Sequence, residues 1–195
     1  MVKKHNSLEI LSLLLSHKKE TFTIRSIAKH TSIDYKTAYL IVQELAQEKV
    51  IKTQKIGQTV LCSINNNYFS DKILTAEMNR RDKILKNKII STLCSYLNTI
   101  KDPFFILLLF GSQASGQAQK QSDIDLMLIA DNPSIKQKVK DKLSLVPLDI
   151  HLLDFSPEEF SSMITTTKFN VGKEAFYNNI ILFGIEDYYR LLQNA

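Results

Sequence analysis

The apolar positions near the start of the chain repeat at helical spacing. Leucines at spacings of three and four follow Ser7, which predicts a helix over residues 7–16 with a serine N-cap. A brief second helix and a longer third helix from about Asp34 follow, separated by a turn at Ser32. The residues expected to face inward from these three helices are Leu8, Leu11, Leu15, Ile24, Ile27, Ala28, Ala38, Ile41, Val42 and Leu45.

Two alternating segments come next, residues 50–56 and 59–65, and their meeting point at Gly57 predicts a hairpin. Helix, short helix, turn, longer helix and hairpin, in this order, resemble a winged helix-turn-helix domain over residues 1–66. In such a domain the third helix enters the major groove of DNA and the hairpin contacts backbone phosphates. The resemblance implies duplex DNA as a partner. The implied contact residues are Tyr35, Lys36 and Thr37 on the third helix and Lys52 and Lys55 on the hairpin.

The distribution of charge agrees with a polyanionic partner for the N-terminal part. Residues 1–66 hold 10 Lys and Arg against 5 Asp and Glu, residues 67–100 hold 6 against 3, and residues 101–195 hold 9 against 12. The positive excess therefore lies wholly in the first half. An ordinary solvated basic face gives the same count, and winged helix domains also act as dimerisation or protein-docking modules. A homodimer and a purely structural role of this domain therefore stay open.

Residues 67–100 predict a bridging helix between two domains, because apolar residues recur there at spacings of four and three. The basic stretch NRRDKILKNK stands near its start and could touch nucleic acid, although a solvated helix face is the simpler interpretation. The apolar residues of this pattern are Leu85, Ile89, Leu93, Leu97 and Ile100.

The second half opens with an unbroken apolar run at residues 104–110, which predicts a strand covered on both faces. The run leads into Gly111 and Ser112, nine further residues and the segment SDIDLMLIA, which begins another strand. Side chains two apart on a strand point to the same side, so Asp123 and Asp125 project together. Two carboxylates held that close repel each other unless a cation lies between them. A hard divalent ion such as Mg²⁺ is therefore expected here.

A third acid follows on the next predicted strand. Residues 132–145 carry an apolar residue every four positions, which predicts a helix, and PLDIHLL then places Asp149 on a strand. A strand–helix–strand–helix–strand order would bring Asp149 to the other two acids. Three carboxylates can hold two Mg²⁺ or Mn²⁺ ions about 4 Å apart, which clamp the attacking and leaving oxygens of phosphoryl or nucleotidyl transfer. Gly111 would let backbone amides approach a phosphate, Ser112 would donate its hydroxyl, and the helix expected there would present its N-terminus.

Gly-Ser, ten residues, Asp-x-Asp and a later strand Asp resemble the nucleotidyltransferase fold of the DNA polymerase beta superfamily, and within it the minimal prokaryotic nucleotidyltransferases. The resemblance covers about residues 101–155, with looser similarity through KEAFYNNIILFGIEDYYRLL. It implies an α+β protein: a winged helix-turn-helix domain over residues 1–66, a bridging helix over 67–100, and a nucleotidyltransferase domain over 101–195. That last domain would hold a mixed sheet with flanking helices.

One position departs from the pattern of this group. Its members usually carry an arginine in GSxARG, whereas this chain reads GSQASG, with Ser115 in place of the arginine. A cation expected near the phosphates is therefore absent, and Lys120 is a candidate replacement. His151 falls on the strand face of Asp149 and could reach the site, although a packed or hydrogen-bonded role is the simpler interpretation. Asp154 is expected to cap the following helix together with Ser156.

Two functions follow from these features. In the first, an enzyme uses Asp123, Asp125 and Asp149 to hold two Mg²⁺ or Mn²⁺ ions and uses Gly111 and Ser112 to hold a nucleoside triphosphate. Asp149 helps to deprotonate an acceptor hydroxyl, and the products are pyrophosphate and a nucleotidylated acceptor. Some members of the minimal group resemble antitoxins that modify a partner toxin protein and others resemble small-molecule modifiers, so the acceptor stays open. In the second, the chain is a DNA-binding regulator whose nucleotidyltransferase domain binds nucleotide without turnover.

The cysteines and the hydropathy bear on the cellular compartment. Cys62 and Cys94 lie inside apolar periodic segments, which predicts buried free thiols in a reducing compartment. The apolar residues 10–15 are too few to span a bilayer and lack the flanks of a signal peptide. We therefore expect a soluble, cytoplasmic protein with no membrane partner.

Overall fold

A computed structural model describes residues 2–101, 104–117 and 122–195. The chain divides into two compact units, Met1–Asn79 and Arg80–Ala195.

The first unit holds helices and a three-stranded antiparallel sheet in the order β1-β3-β2. Its elements, in chain order, are α1 (Val2–Ser16), β1 (Phe22–Thr23), α2 (Ile24–Thr31), α3 (Tyr35–Gln47), β2 (Ile51–Ile56), β3 (Thr59–Ile64) and the first part of α4 (Asp71–Ile84). The three helices and the hairpin predicted from the apolar spacing are thus confirmed as elements, but α1 begins at Val2, so the prediction that Ser7 caps it is wrong. The hairpin turns at Gly57, whose φ of +58° lies in the region that favours glycine.

Side-chain caps fix the turn between α2 and α3. Thr23 accepts a hydrogen bond from the Ser26 amide at 3.0 Å and so caps α2. Asp34 accepts one from the Thr37 amide at 2.9 Å and caps α3. Ser32, at a φ of 55°, ends α2 in the left-handed conformation. The start of α3 is therefore held by its own residues as well as by packing.

Residues 67–100 form two helices, α4 and α5 (Lys88–Leu97), in place of the single helix that the apolar spacing predicts. The chain breaks because Asn87 caps a new helix, its side-chain oxygen accepting from the Ile89 amide at 2.9 Å. The break also shifts the buried face, so that Ile90 is fully buried while Ile89 is 47% exposed.

The second unit continues with strands that pair into one four-stranded sheet and with further helices. These are β4 (Ile106–Phe110), α6 (Gly111–Ala114), β5 (Ile124–Ile129), α7 (Pro133–Ser144), β6 (Ile150–Phe155), α8 (Pro157–Thr165), α9 (Val171–Tyr177), β7 (Asn179–Phe183) and α10 (Ile185–Gln193). The strand order is β6-β5-β4-β7. Strand β4 runs antiparallel to β5 and β7, whereas β5 and β6 run parallel. The predicted α+β class with a mixed sheet is confirmed.

The core of this unit holds the central strands in place. Every residue of β4 is buried, which explains why its sequence shows no alternation. Apolar residues of α5 and α7 belong to one buried cluster with the strands, and its members include Ile90, Leu93, Leu97, Leu107, Leu109, Leu126, Leu128, Val139 and Leu143. Burial of these apolar side chains is the main favourable contribution to the folding of the sheet. The folded sheet can then hold polar groups at its edge.

A buried polar network fixes the start of β7. The Asn179 side-chain amide donates to the Phe176 carbonyl and contacts the Tyr188 hydroxyl, both at 3.1 Å. The Arg80 guanidinium donates to the Asn179 carbonyl at 2.6 Å. Because these groups are buried and satisfied, they hold the junction between α9 and β7 in one arrangement.

Cys62 and Cys94 are both buried free thiols, as predicted. Burial raises the pKa of each thiol to about 11. None of the helices in the described part of the chain combines the length and the apolar character that a bilayer span requires.

Candidate nucleotidyl-transfer site

The three predicted acids stand at the starts of two neighbouring parallel strands. The Ile124 amide donates to the Asp149 carbonyl at 3.0 Å, and Asp125 lies in register with His151. Ile124 is buried, whereas Asp125 is half-buried and Asp123 is exposed, as alternation along a strand requires. The pairing of β5 with β6 therefore brings the backbones of all three acids to one edge of the sheet.

The side chains themselves are not drawn together. Among the residues that the structure describes, no three His, Cys, Asp or Glu side chains come close enough to hold a metal ion. Asp123 and Asp149 are exposed and so free to change rotamer, while Asp125, at 28% side-chain exposure, is the most enclosed of the three. The backbone thus brings the three acids to neighbouring positions. Their carboxylates can converge on one point only if the exposed side chains rotate.

Gly111 packs directly against Asp125. Its φ is +66°, and a Cβ at this position would lie 3.1 Å from Asp125 Cγ and would overlap Oδ2. Both the backbone conformation and the space therefore require glycine. The Asn178 side-chain amide also donates to the Gly111 carbonyl at 3.1 Å, which fixes this turn from the side of α9.

The helix expected after Gly111 is a single turn, α6. Ser112 is half-buried within it. Ser115 is exposed just behind it, and its hydroxyl donates to the Ser112 carbonyl at 3.1 Å. Lys120, the candidate replacement for the missing arginine, lies outside the described residues. So short a helix contributes little dipole, so any phosphate contact must come from individual amides and hydroxyls.

His151 contacts Asp125, so its side chain is both hydrogen-bonded and within reach of a predicted site residue. Its Nδ1 lies 3.3 Å from Asp125 Oδ1, and its side chain is 61% exposed. The contact is a hydrogen bond when Nδ1 carries the hydrogen, because a carboxylate oxygen accepts.

The prediction that Asp154 caps α8 is wrong. Its carboxylate instead forms ion pairs with two lysines of α7, at 2.9 Å from Lys140 Nζ and 3.6 Å from Lys136 Nζ. The hydrogen bond from Lys140 is the largest cause that holds the pKa of Asp154 below its usual value. Ser156 does cap α8, in a reciprocal pair of bonds with Glu159. Asp154 therefore lies within β6 and pairs with α7, and Ser156 alone is the N-cap of α8.

The residues predicted to contact DNA are at the surface of the first unit. Tyr35, at 55% exposure, and the exposed Lys36 lie in the first turn of α3, where Thr37 is half-buried. Lys52 and Lys55 are exposed on β2, opposite Ser63 and Val60 of β3. Because Lys52 and Lys55 are three residues apart on a strand, they point to opposite faces of the hairpin. The first-turn residues are thus grouped, and the two lysines are not.

Several residues beside these positions were not predicted from the sequence. Leu40 is 55% exposed on α3, and the exposed Tyr39 ring has its centroid 6.4 Å from that of Tyr35. Both Tyr39 and Leu40 fall outside the helical repeat of buried positions. An apolar or aromatic residue outside that repeat is expected at the surface, so the sequence did contain a signal for them. Asn178, which holds Gly111, gave no such signal, because its contact joins residues far apart in sequence.

Residues 87–183 match the family described as polymerase beta, nucleotidyltransferase. The match covers 97 of the 195 residues, just under half of the chain, and runs from the cap of α5 to the last residue of β7. It includes all four strands of the sheet and the three acids. No curated protein and no solved structure shows significant similarity to the chain. Residues 87–183 are therefore similar to nucleotidyltransferase domains of the polymerase beta type, a family whose general chemistry is nucleotidyl transfer.

Proposed function

We propose that the chain transfers a nucleoside monophosphate from a nucleoside triphosphate to an acceptor hydroxyl, with Asp123, Asp125 and Asp149 as the metal-holding carboxylates. The single observation that carries this proposal is the parallel register of β5 and β6: the backbones of the three acids lie at the starts of these two strands, and Gly111 lies against Asp125. In the reaction the acceptor oxygen bonds to the α-phosphorus, the bond from that phosphorus to the bridging oxygen breaks, and pyrophosphate leaves.

The donor set fits a hard divalent cation. Three carboxylates offer only oxygen ligands, which Mg²⁺ and Mn²⁺ prefer, and the absent Cβ of Gly111 makes room for the Asp125 carboxylate itself. Two such ions, when bound, would neutralise phosphate charge and polarise the reacting phosphoryl group.

The remaining roles fall to residues next to the acids. Gly111 and Ser112 follow β4 directly, so their amides and the Ser112 hydroxyl are the groups that hold the triphosphate. Asp149, exposed at the start of β6, accepts the proton of the acceptor hydroxyl. Positioning and charge stabilisation, rather than covalent chemistry by the protein, supply the rate enhancement.

A labelling experiment tests this proposal. The purified chain is incubated with Mg²⁺, a cell extract and the four nucleoside triphosphates, labelled in parallel reactions at the α- or the γ-phosphorus. We expect α-label, and no γ-label, on an acceptor, and its size shows whether that acceptor is a protein, such as a partner toxin, or a small molecule. The double variant Asp123→Asn, Asp125→Asn should transfer none, whereas Asp131→Asn, an exposed acid after the other end of β5, should act like wild type. Transfer of γ-label instead would contradict the proposal.

A second activity, binding of duplex DNA through a winged helix-turn-helix in residues 1–66, is favoured by one observation. The first turn of α3 exposes Tyr35 and Lys36 together, and its backbone is fixed by the Asp34 cap. Such a turn can reach base edges and phosphates. If the chain is a regulator without turnover, nucleotide should change DNA affinity while no pyrophosphate is released, because coupling between two binding sites is reciprocal.

A further inference from the structure

We propose that His151 is a positioning residue that sets the rotation of the Asp125 carboxylate for metal binding. The proposal rests on the proposed function, since it concerns how Asp125 is presented to the ion. His151 itself is not assigned contact with the nucleotide or the ion.

The side chains of Asp125 and His151 lie next to each other. Asp125 and His151 occupy matched positions on neighbouring parallel strands, so their side chains leave the same face of the sheet side by side. Nδ1 of His151 lies 3.3 Å from Oδ1 of Asp125. Strand β6 is an edge strand of the sheet, and the His151 ring is mostly exposed. The contact is therefore set by backbone register, and no other packing is needed to hold it.

The two carboxylate oxygens of Asp125 have different neighbours. Oδ1 faces His151, whereas Oδ2 faces Gly111 and fills the space that a Cβ of residue 111 would occupy. The turn at Gly111 is where the triphosphate is expected. One oxygen of Asp125 is thus held by an imidazole, and the other is directed to the phosphate side of the site.

This arrangement has an energetic consequence. A carboxylate held in its binding orientation loses less side-chain freedom when it takes a ligand, so the affinity is higher. Hydrogen bonds to metal-holding carboxylates work in this way, and their removal typically weakens metal affinity by about 10- to 100-fold. Asp125 is the most enclosed of the three acids and the one that the imidazole contacts, so it is the acid that His151 can pre-orient.

The test measures Mn²⁺ binding without catalysis. The melting temperature of the full chain is followed while Mn²⁺ alone is titrated, and the midpoint Mn²⁺ concentration of the shift is recorded, since an ion that binds the native state raises the melting temperature. His151→Leu, which has no donor, should raise the midpoint at least about 10-fold. His151→Asn, whose amide can donate from near the Nδ1 position, should return it to within about threefold of wild type. His5→Leu, which removes an exposed imidazole of the first unit, should leave it unchanged.

A double-variant cycle tests the pathway through Asp125. In an Asp125→Asn background, His151→Leu should have no further effect on the midpoint, because the carboxylate it orients is gone. The metal-free melting temperature of each variant shows that the fold is intact. An unchanged midpoint in His151→Leu, or an equal rise in His151→Leu and His151→Asn, would overturn the positioning role. Failure of the proposed function looks different: wild type itself would then show no Mn²⁺ shift, which removes the site and this inference together.

Discussion

The main-chain amide of Ile124 donates a hydrogen bond to the main-chain carbonyl of Asp149 at 3.0 Å. This bond begins the parallel ladder of β5 and β6, so residues distant in sequence reach one edge of the sheet. The placement of the acids is therefore a property of strand pairing with the mostly buried β5, and not of the acids, two of which are exposed. Replacing Asp123 or Asp149 by Asn should accordingly change the free energy of unfolding by no more than about 0.5 kcal/mol.

Gly111 offers a matched comparison with Gly116. Both have positive φ, +66° and +72°, so alanine at either should cost about 1–2 kcal/mol of unfolding free energy for the left-handed conformation. Only at Gly111 would the added Cβ meet Asp125, since Gly116 has nothing within 4 Å. We expect Gly111→Ala to be the more destabilising variant and the only one to abolish the Mn²⁺ shift, measured by denaturant unfolding and thermal titration. Equal losses in the two variants would mean that Gly111 does not shape the site.

Ser115→Arg should strengthen nucleotide binding. Ser115 is exposed beside Ser112, so the surface has room for a longer side chain, and an arginine there adds a cation next to the expected triphosphate. Because that contact exists in ground and transition states alike, KM for nucleotide should fall while kcat changes little. Steady-state kinetics with the acceptor found by labelling measure both. An unchanged or higher KM would show that the triphosphate lies elsewhere.

The Asp154–Lys140 pair predicts a pH-dependent contribution to stability. Asp154 has a folded pKa below its usual 3.8, mainly through the Lys140 hydrogen bond, so its contribution is present at neutral pH. It is lost as the pH falls below 3.8 towards the folded pKa, where the carboxylate becomes protonated in the native state as well. Lys140→Gln should lower the unfolding free energy by less than about 1 kcal/mol at pH 7, since the pair is partly exposed.

Unfolding of this variant by denaturant at pH 7 and at low pH checks the sign. Lys142→Gln, on the same helix, is the control, and the difference between the two variants should shrink as the pH falls. A difference that grows at low pH would contradict the assignment of the pair.

The hairpin lysines should contribute unequally to DNA binding. Each phosphate contact that is lost lowers the slope of log affinity against log salt by about 0.9. Lys52 and Lys55 point to opposite faces of the hairpin, so a duplex lying on one face meets one of them. We expect Lys52→Gln and Lys55→Gln of the full chain to differ in salt slope by about 1 in titrations of labelled duplex DNA. Equal and small effects of both would remove the hairpin from the proposed interface.

The central strands and the acids could be predicted from sequence because each leaves a local signal. The run at 104–110 is apolar without interruption, and Asp123 and Asp125 flank a buried isoleucine at the spacing of a strand. Gly111, the glycine after β4, is also explained locally, because its φ is positive.

Features that depend on distant partners left no such signal. Strand β7 was not predicted, because a run of four apolar residues fits a strand or a helix until β4 is known to lie beside it. Asp154 resembled a helix cap because only the fold shows that Lys140 lies closer to it. The break at Asn87 was missed for a different reason: an asparagine inside a polar run looks like solvated helix, although it caps α5.

The central claim, that the acids at the β5–β6 edge carry nucleotidyl transfer, is tested most directly by the rate of α-label transfer in Asp149→Asn. Wild type, Asp149→Asn and the control Asp131→Asn are compared at saturating nucleoside triphosphate with Mg²⁺. We predict that Asp149→Asn lowers kcat by about three orders of magnitude or more with its fold intact, because a metal-holding carboxylate and the proton acceptor are lost together. Asp131→Asn should transfer label at the wild-type rate. Transfer by Asp149→Asn at the wild-type rate would contradict the account.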